Sequence, residues 1–310
     1  MAAILICGAS VFTACSSNDD NPFQPVVQVG IDKTNFPDDN FWNYLLGQDY
    51  GKDGVLTEAE IRNITVMDVS EKEIKSLKGI EYFTALRTLN CSDNELTELD
   101  ISGNTALDTL DCSYNELTAL DVSKNTALRS LDCRFNELTA LDISVNKALT
   151  ELDCGFNELT SLDISVNTAL TYLDCSYNEL TALDISVNKA LTKLSCDENK
   201  LTALDISKNT ALIRLSCSGN SLTSLDLSKN MALEKLLCFK NQISGQNMDA
   251  LIGSLRQNES EEFCEFYVMD GNEPNQNVCT KSQAAAAKAK GWLPLYWDED
   301  EEDWLEYEGS

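Results

Sequence analysis

The chain has 310 residues, with 51 acidic side chains against 23 basic ones and a formal net charge of −28. That balance excludes nucleic acid as a partner and any attraction to anionic membrane surfaces. The sequence holds 12 cysteines and no histidine, so no Ser-His or Cys-His nucleophilic pair can be built.

In chain order, residues 1–15 come first. Met1-Ala2-Ala3-Ile4-Leu5-Ile6-Cys7-Gly8-Ala9-Ser10-Val11-Phe12-Thr13-Ala14-Cys15 is apolar and too short to cross a bilayer. It reads as the hydrophobic part of an export signal. Phe12-Thr13-Ala14-Cys15 resembles a bacterial lipobox, which implies lipidation of Cys15 and an outer-membrane or cell-surface lipoprotein touching the membrane only through that lipid. The other reading is an ordinary secretory signal and a secreted protein. Ser16-Ser17-Asn18-Asp19-Asp20 resembles the acidic tract of surface-displayed Bacteroidetes lipoproteins. Residues 16–34, with Pro22 and Pro25, then form a tether.

Residues 35–85 read as an N-terminal cap with a short helix near 40–46. The stretch Asp49-Tyr50-Gly51-Lys52-Asp53-Gly54-Val55-Leu56-Thr57-Glu58-Ala59-Glu60 resembles an EF-hand loop. That resemblance makes Asp49, Asp53, the Val55 carbonyl, Thr57 and Glu60 candidate calcium ligands, with Gly54 as the turn glycine. Gly51 departs from the pattern, because it offers no side-chain oxygen. The alternative is a helical turn that keeps the shape without the ion. No cofactor other than calcium is suggested. Ile64-x-Val66-x-x-Val69 and Ile74-x-x-Leu77 read as an irregular first coil.

Cysteines then stand at 91, 112, 133, 154, 175, 196, 217 and 238, every interval 21 residues. The frame is L-x-x-L-x-C-x-x-N-x-L-T-x-L-D-I-S-x-N-x-A. A fixed period of this length marks a solenoid, whose coils bury a core only by stacking. The frame resembles the leucine-rich repeat, with Cys in place of one Leu, over eight repeats in residues 86–243. The 21-residue period resembles the nested bacterial class, and the ends resemble those of Bacteroides-type lipoproteins. The resemblance implies a right-handed horseshoe with a parallel concave sheet, of internalin-like or BspA-like kind. From the residues alone, Leu89 and Cys91 share the inward face of a short strand and Asn90 faces out. Eight strands spaced at about 4.8 Å give a sheet roughly 40 Å across. The second half-repeat reads as extended or 3₁₀. The repeat cysteines read as buried free thiols, since parallel in-register strands aim their Cβ atoms alike. Two asparagine series, from Asn94 to Asn241 and from Asn104 to Asn230, are assigned to structure. Asp100, Asp121, Asp142, Asp163, Asp184, Asp205 and Asp226 form a ladder whose repulsion is expected to be offset by turn hydrogen bonds.

Residues 244–297 read as a C-terminal α/β cap: helices near 246–256 and 280–290, a strand near 266–269, and an edge strand at 292–297, because Pro294 bars a central place. Cys264 and Cys279 either pair there as a disulfide or stay as buried thiols. Residues 298–310 read as a mobile acidic tail.

Variable positions carry the functional expectation. Asp111, Asp132, Asp153 and Asp174 line up on the solvent face of the strands, with Tyr114, Phe135, Phe156 and Tyr177 beside them and Tyr172 nearby. Lys193, Arg214 and Lys235 make the later coils more basic. Exposed aromatics beside charge suit an interface, although a repeated aromatic packing on its neighbours gives the same pattern. The chain therefore reads as a monomeric macromolecule-binding protein for a protein or peptide partner, with a glycan ligand as the alternative. It does not read as an enzyme.

Overall fold

A computed structural model describes residues 28–271, 276–298 and 301–310. Cys15 and the first part of the tether lie outside the described residues. The N-terminal cap comprises β1 (Gln28–Gly30), α1 (Asp39–Gly47), β2 (Val55–Thr57) and α2 (Glu58–Asn63). β1 pairs antiparallel with β2, so the end of the expected tether belongs to the cap. Burial of Ile31 holds it there, with Trp42 Nε1 donating to the Ile31 carbonyl at 2.9 Å. Asp38 caps α1 through one oxygen, accepting from Asn40 and Phe41 N–H at 2.9 Å each. Its other oxygen accepts from Lys75 N–H at 2.9 Å and so ties the helix to the first coil.

The first coil carries β3 (Val66–Asp68), with Met67 opposite Leu89. Val66 is 64% exposed, and Met67 and Val69 fill the core. Side chains alternate along a strand, so a register error of one residue exchanges the two faces.

Strands β4 (Thr88–Asn90), β5 (Thr109–Asp111), β6 (Ser130–Asp132), β7 (Glu151–Asp153), β8 (Tyr172–Asp174), β9 (Lys193–Ser195), β10 (Arg214–Ser216) and β11 (Lys235–Leu237) follow. Each is parallel to its neighbour and in register with it. In every one the middle Leu is buried, as is the Cys after the strand. The opposite wall is a series of turns with no strand ladder. The 3₁₀ helix among the described residues, η1 (Ile80–Tyr82), sits in the first coil and not in the repeats. Each fully buried Leu contributes about 1.5–3 kcal/mol by leaving water, and the core runs unbroken from Ile31 to Trp292.

Hydrophobic burial is not directional, so something else must set the register of the coils. The first asparagine series does this. Asn157 Nδ2 donates to the carbonyls of Cys133, Cys154 and Gly155 at 3.0, 3.2 and 3.1 Å. Its Oδ1 accepts from Leu138 N–H at 3.0 Å. One amide thus bonds its own coil and the preceding one, and Asn115, Asn136, Asn178, Asn199, Asn220 and Asn241 repeat the pattern. The second series works on the other wall, where Asn125 Nδ2 donates to Ile101 and Asn104 carbonyls at 3.0 and 2.9 Å. The Asp100-to-Asp226 ladder is satisfied as expected: each carboxylate accepts from the Ser N–H two residues on, at 2.8–3.0 Å. Those bonds hold the carboxyls below their usual range. The Ser side chain leads at Asp100, Asp121, Asp142 and Asp163. The Ser N–H leads at Asp184, Asp205 and Asp226.

The C-terminal cap holds α3 (Gly245–Ser254), β12 (Cys264–Asp270), α4 (Lys281–Ala289), β13 (Trp292–Asp298) and β14 (Asp303–Glu306). β12 and β13 extend the parallel sheet, and β14 closes it antiparallel as the twelfth strand. β13 is therefore not the edge. The β13–β14 ladder begins at Leu295, one residue past Pro294, where backbone N–H groups are present again. The acidic tail is not free either. Tyr307 N–H donates to the Pro294 carbonyl at 2.9 Å, Tyr307 Oη donates to the Cys279 carbonyl at 3.1 Å, and Lys288 pairs with Glu306 and Glu308.

Replacing Asn157 with Ala leaves Leu138 N–H and the carbonyls of two coils without their partner. At about 1–3 kcal/mol for each buried group stranded, the loss of unfolding free energy should reach about 3 kcal/mol, whereas Thr160→Ala on the exposed turn should stay within about 0.5 kcal/mol. Urea unfolding of both variants checks this.

Candidate binding surface on the concave sheet

The first and third residues of every repeat strand face away from the core. Along the first position stand Thr88, Thr109, Ser130, Glu151, Tyr172, Lys193, Arg214 and Lys235, paired neighbour to neighbour by the strand register. The third position carries Asn90, Asp111, Asp132, Asp153, Asp174, Ser195, Ser216 and Leu237. The four expected aspartates are thus brought into one row, with Tyr172 beside it.

The row is electrostatically loaded. Burial pushes the Asp132 carboxyl up to about 7, helped by repulsion from Asp153 and Asp111 and opposed by Arg134. Asp153 is pushed up to about 6, again by burial first and then by Asp174. Arg134, which the sequence reading missed, bridges the two at 3.4 and 3.6 Å and lies 5.8 Å from the Tyr114 ring centroid. Tyr172 is likewise raised by burial and by Asp153 and Asp174. In the next coil Asp197, also missed, rises to about 6 by burial while accepting from Ser216 Oγ and Ser218 N–H at 2.7 Å each.

Tyr114, Phe135, Phe156 and Tyr177 are not on the strands. They occupy the turn that leaves each strand, at φ values of 51–53°. That left-handed conformation costs a bulky residue about 1–2 kcal/mol. The rings stack in sequence with centroids 4.3, 4.0 and 4.1 Å apart and planes within 15°. Each such pair returns about 0.5–1.5 kcal/mol, so stacking offsets much of the strain. The faces of Phe135 and Phe156 are covered by their neighbours, and ring edges remain on the rim of the sheet. The signal available in the sequence was Gly219, which holds the same turn position at φ 63°. An open groove of about 690 Å³ runs beside the stack, lined by Tyr177, Glu158, Glu179 and Glu198 among others.

A second aromatic group escaped the sequence reading. Trp304 on β14 lies 5.0, 4.7 and 5.6 Å from Phe239, Tyr267 and Trp297, at tilted or edge-on angles. It marks the C-terminal end of the sheet, beside Lys235, which pairs with Glu265 at 2.6 Å.

The candidate calcium ligands are not brought together. Asp49 pairs with Lys52, Asp53 caps Val55 N–H at 3.1 Å, and Glu60 Oε2 accepts from Thr57 N–H and Oγ1 at 2.8 Å each. Val55 and Thr57 bound β2, and Thr57 with Glu60 forms the capping box of α2. Those bonds occupy the side chains within the loop itself, and among the described residues no three acidic or cysteine side chains converge as a metal site. Cys264 and Cys279 are corrected from a candidate disulfide to free, buried thiols. Cys264 opens β12 beside Arg256 Nη2, at 3.2 Å. Cys279 instead follows Asn277, whose amide reaches Cys238 and Val268 carbonyls at 2.7 and 3.0 Å. The eight repeat cysteines are also free and buried, and from Cys91 to Cys217 each Sγ lies 3.4–3.5 Å from a carbonyl of the next coil. Burial pushes these thiols up, away from the nucleophilic thiolate.

No protein-family model matches the chain. Over 71 residues it is 42% identical to internalin J of Listeria monocytogenes, a match covering 23% of this chain and 8% of that protein. Among solved structures, the functional domain of internalin J, described as including a cysteine ladder, is 34% identical with a TM-score of 0.61, over 78% of this chain and 57% of that one. Internalin C2 from the same species superposes with a TM-score of 0.62 at 21% identity, over 68% of this chain and 97% of that one. A leucine-rich repeat protein of Leptospira interrogans gives 0.58 at 23%, over 76% and 74%. The last two show the fold alone. The fold is a leucine-rich repeat solenoid, similar to internalins, and the chain spans a small part of internalin J and little more than half of its solved domain.

The raised carboxyls predict an unusual pH dependence. Folded Asp132 and Asp153 retain protons that the unfolded chain releases above about pH 4, so stability falls as pH rises from about 4 to about 7. The Asp132→Asn, Asp153→Asn double variant should be more stable than the parent at pH 8 and flatter across that window. Asp197 leaves a residual slope. Thermal melts at pH 4, 6 and 8 measure it.

Proposed function

We propose that this protein binds another protein or a peptide on the concave face of its sheet, and that it does so outside the cell as an exported, lipid-anchored chain. Solenoids of this kind use the long regular surface of stacked repeats for binding. The observation that carries the reading is the contrast within each coil. Leu, Cys and Asn are fixed by core packing and by amide bonds between coils, while the first and third strand residues carry none of that frame and change from Thr and Asn through Glu and Asp to Lys and Arg. Tyr172, half-buried among carboxylates at mid-sheet, is the anchor of the kind that dominates interface energies.

Glycan binding is the weaker reading. Sugars stack on ring faces, and the faces of Phe135 and Phe156 are taken by their neighbours. For the same reason truncating those rings perturbs the turn as well as the surface, so Tyr172→Ala is the cleaner probe. A photo-crosslinking residue at 172 should capture a partner polypeptide on contact with its target cells. The same residue at Ser165, on the opposite wall, should not. Once captured, that partner should bind Tyr172→Ala at least about tenfold more weakly. Crosslinks confined to position 165 would move the site off the concave face.

The anchor rests on Phe12-Thr13-Ala14-Cys15. Changing Cys15→Ala should shift the protein from the membrane fraction to the soluble one. Membrane retention by the variant, with no acyl mass on Cys15 in the parent, would remove this part of the reading.

A further inference from the structure

The charges on the concave face are sorted. Strands β5 to β8 present Asp111, Asp132, Glu151, Asp153 and Asp174, offset there by Arg134. The two strands that follow present Lys193 and Arg214 at the first position, directly opposite each other in the register and both exposed. The change of sign occurs across one strand gap, from Tyr172 to Lys193.

The protein's own structure does not account for the cationic half. Among the described residues neither Lys193 nor Arg214 is ion-paired, whereas Lys235 on the next strand is. Of the acids at this end, Asp197 is held by Ser216 Oγ and Ser218 N–H at 2.7 Å each, and Glu265 by Lys235 at 2.6 Å, with Arg214 acting on Glu265 only at longer range. Two like charges about 5 Å apart repel by roughly 1 kcal/mol even in water. Solubility does not need them either, since net charge far from zero already supplies it.

We infer that the concave face is built for a polypeptide segment whose charge is segregated, with a cationic run lying over β5–β8 and an anionic run over β9–β10. This rests on the concave-face reading above and adds the chemistry and polarity of the partner. The dimensions are specific. Three strand intervals of about 4.8 Å make the acidic half roughly 15 Å wide, which four or five extended residues span. The anionic run must begin within about two residues of the cationic one, because the sign changes over one strand gap. Complementary fields of this kind fix the register of a partner and reject the reversed charge order.

Two synthetic peptides of identical composition test it, one with four Lys followed by four Glu and one with Lys and Glu alternating. At low salt the wild-type protein should bind the segregated peptide at least about tenfold more tightly, by fluorescence anisotropy. The Lys193→Gln, Arg214→Gln variant, whose substitutions are exposed and touch no core residue, should lose most of that preference with an unchanged melting temperature. Equal binding of the two peptides overturns the inference, and so does a preference that survives the double substitution. Retention of an acidic oligosaccharide by Lys193 and Arg214, with no discrimination between the peptides, would overturn it in favour of a glycan. Each of these results leaves the crosslinking at position 172 to judge concave-face binding separately.

Discussion

The side-chain amide of one asparagine per coil governs this molecule. Leucine burial supplies most of the stabilisation but says nothing about how one coil sits on the next. Asn157 does, because its amide reaches carbonyls of two successive coils and accepts a backbone N–H in return. With that lock repeated from Asn94 to Asn241, every position in the frame becomes a row. At the C-terminal end Asn277 takes over the same task, accepting from Ile243 N–H at 2.9 Å and donating to the Cys238 carbonyl. The cap is therefore a continuation of the stack by other means, and Cys279 lies beside Cys238 as one more inward thiol.

Rows amplify whatever occupies them. Aspartate occurs in two rows with opposite outcomes. On the outer wall each Asp meets the N–H of a Ser two residues on, and the carboxyls are held low. On the concave sheet Asp132 and Asp153 are followed two residues on by Arg134 and Gly155, which supply an N–H but no hydroxyl. These are half-buried, close to one another, and pushed up to about 7 and 6. The same amplification turns a strained turn into a stable one, since a ring at φ near 52° finds another ring one coil away.

The repeat was legible because its frame is redundant: Leu89 and Cys91 predict an inward pair, and seven further coils say the same. Legibility fails where the frame stops. In the first coil Val66 and Met67 are both apolar, and only pairing with β4 decides which faces in. The tail from Asp298 looked solvated by composition, yet Trp304 and Tyr307 between the acids give it apolar contacts and an edge to join. Asn277 stands 36 residues beyond Asn241, outside any period, so its place in the ladder was invisible. In the loop 49–60, Thr57 and Glu60 satisfy a capping box and an EF-hand pattern equally well on paper, and the structure uses them for the box. On the candidate surface, the aspartate row was readable from spacing alone. Arg134 and Asp197 were not, because each occurs once.

That asymmetry has a physical basis. Core and lock positions are constrained by neighbours on both sides, so an error at one coil is felt by three. Strand positions one and three are joined between coils chiefly through backbone that any residue supplies, with side-chain bonds such as Ser216 to Asp197 occurring singly and in no repeated row. A Thr, a Glu or a Lys can stand there at little structural cost, and this is why Thr109, Glu151 and Lys193 coexist in one row. The frame thus specifies strand register while leaving the chemistry of the concave face free. The information about a partner resides in the residues that break the repeat, above all the passage from Asp174 to Lys193 and Arg214, where charge changes sign although the strand register does not change.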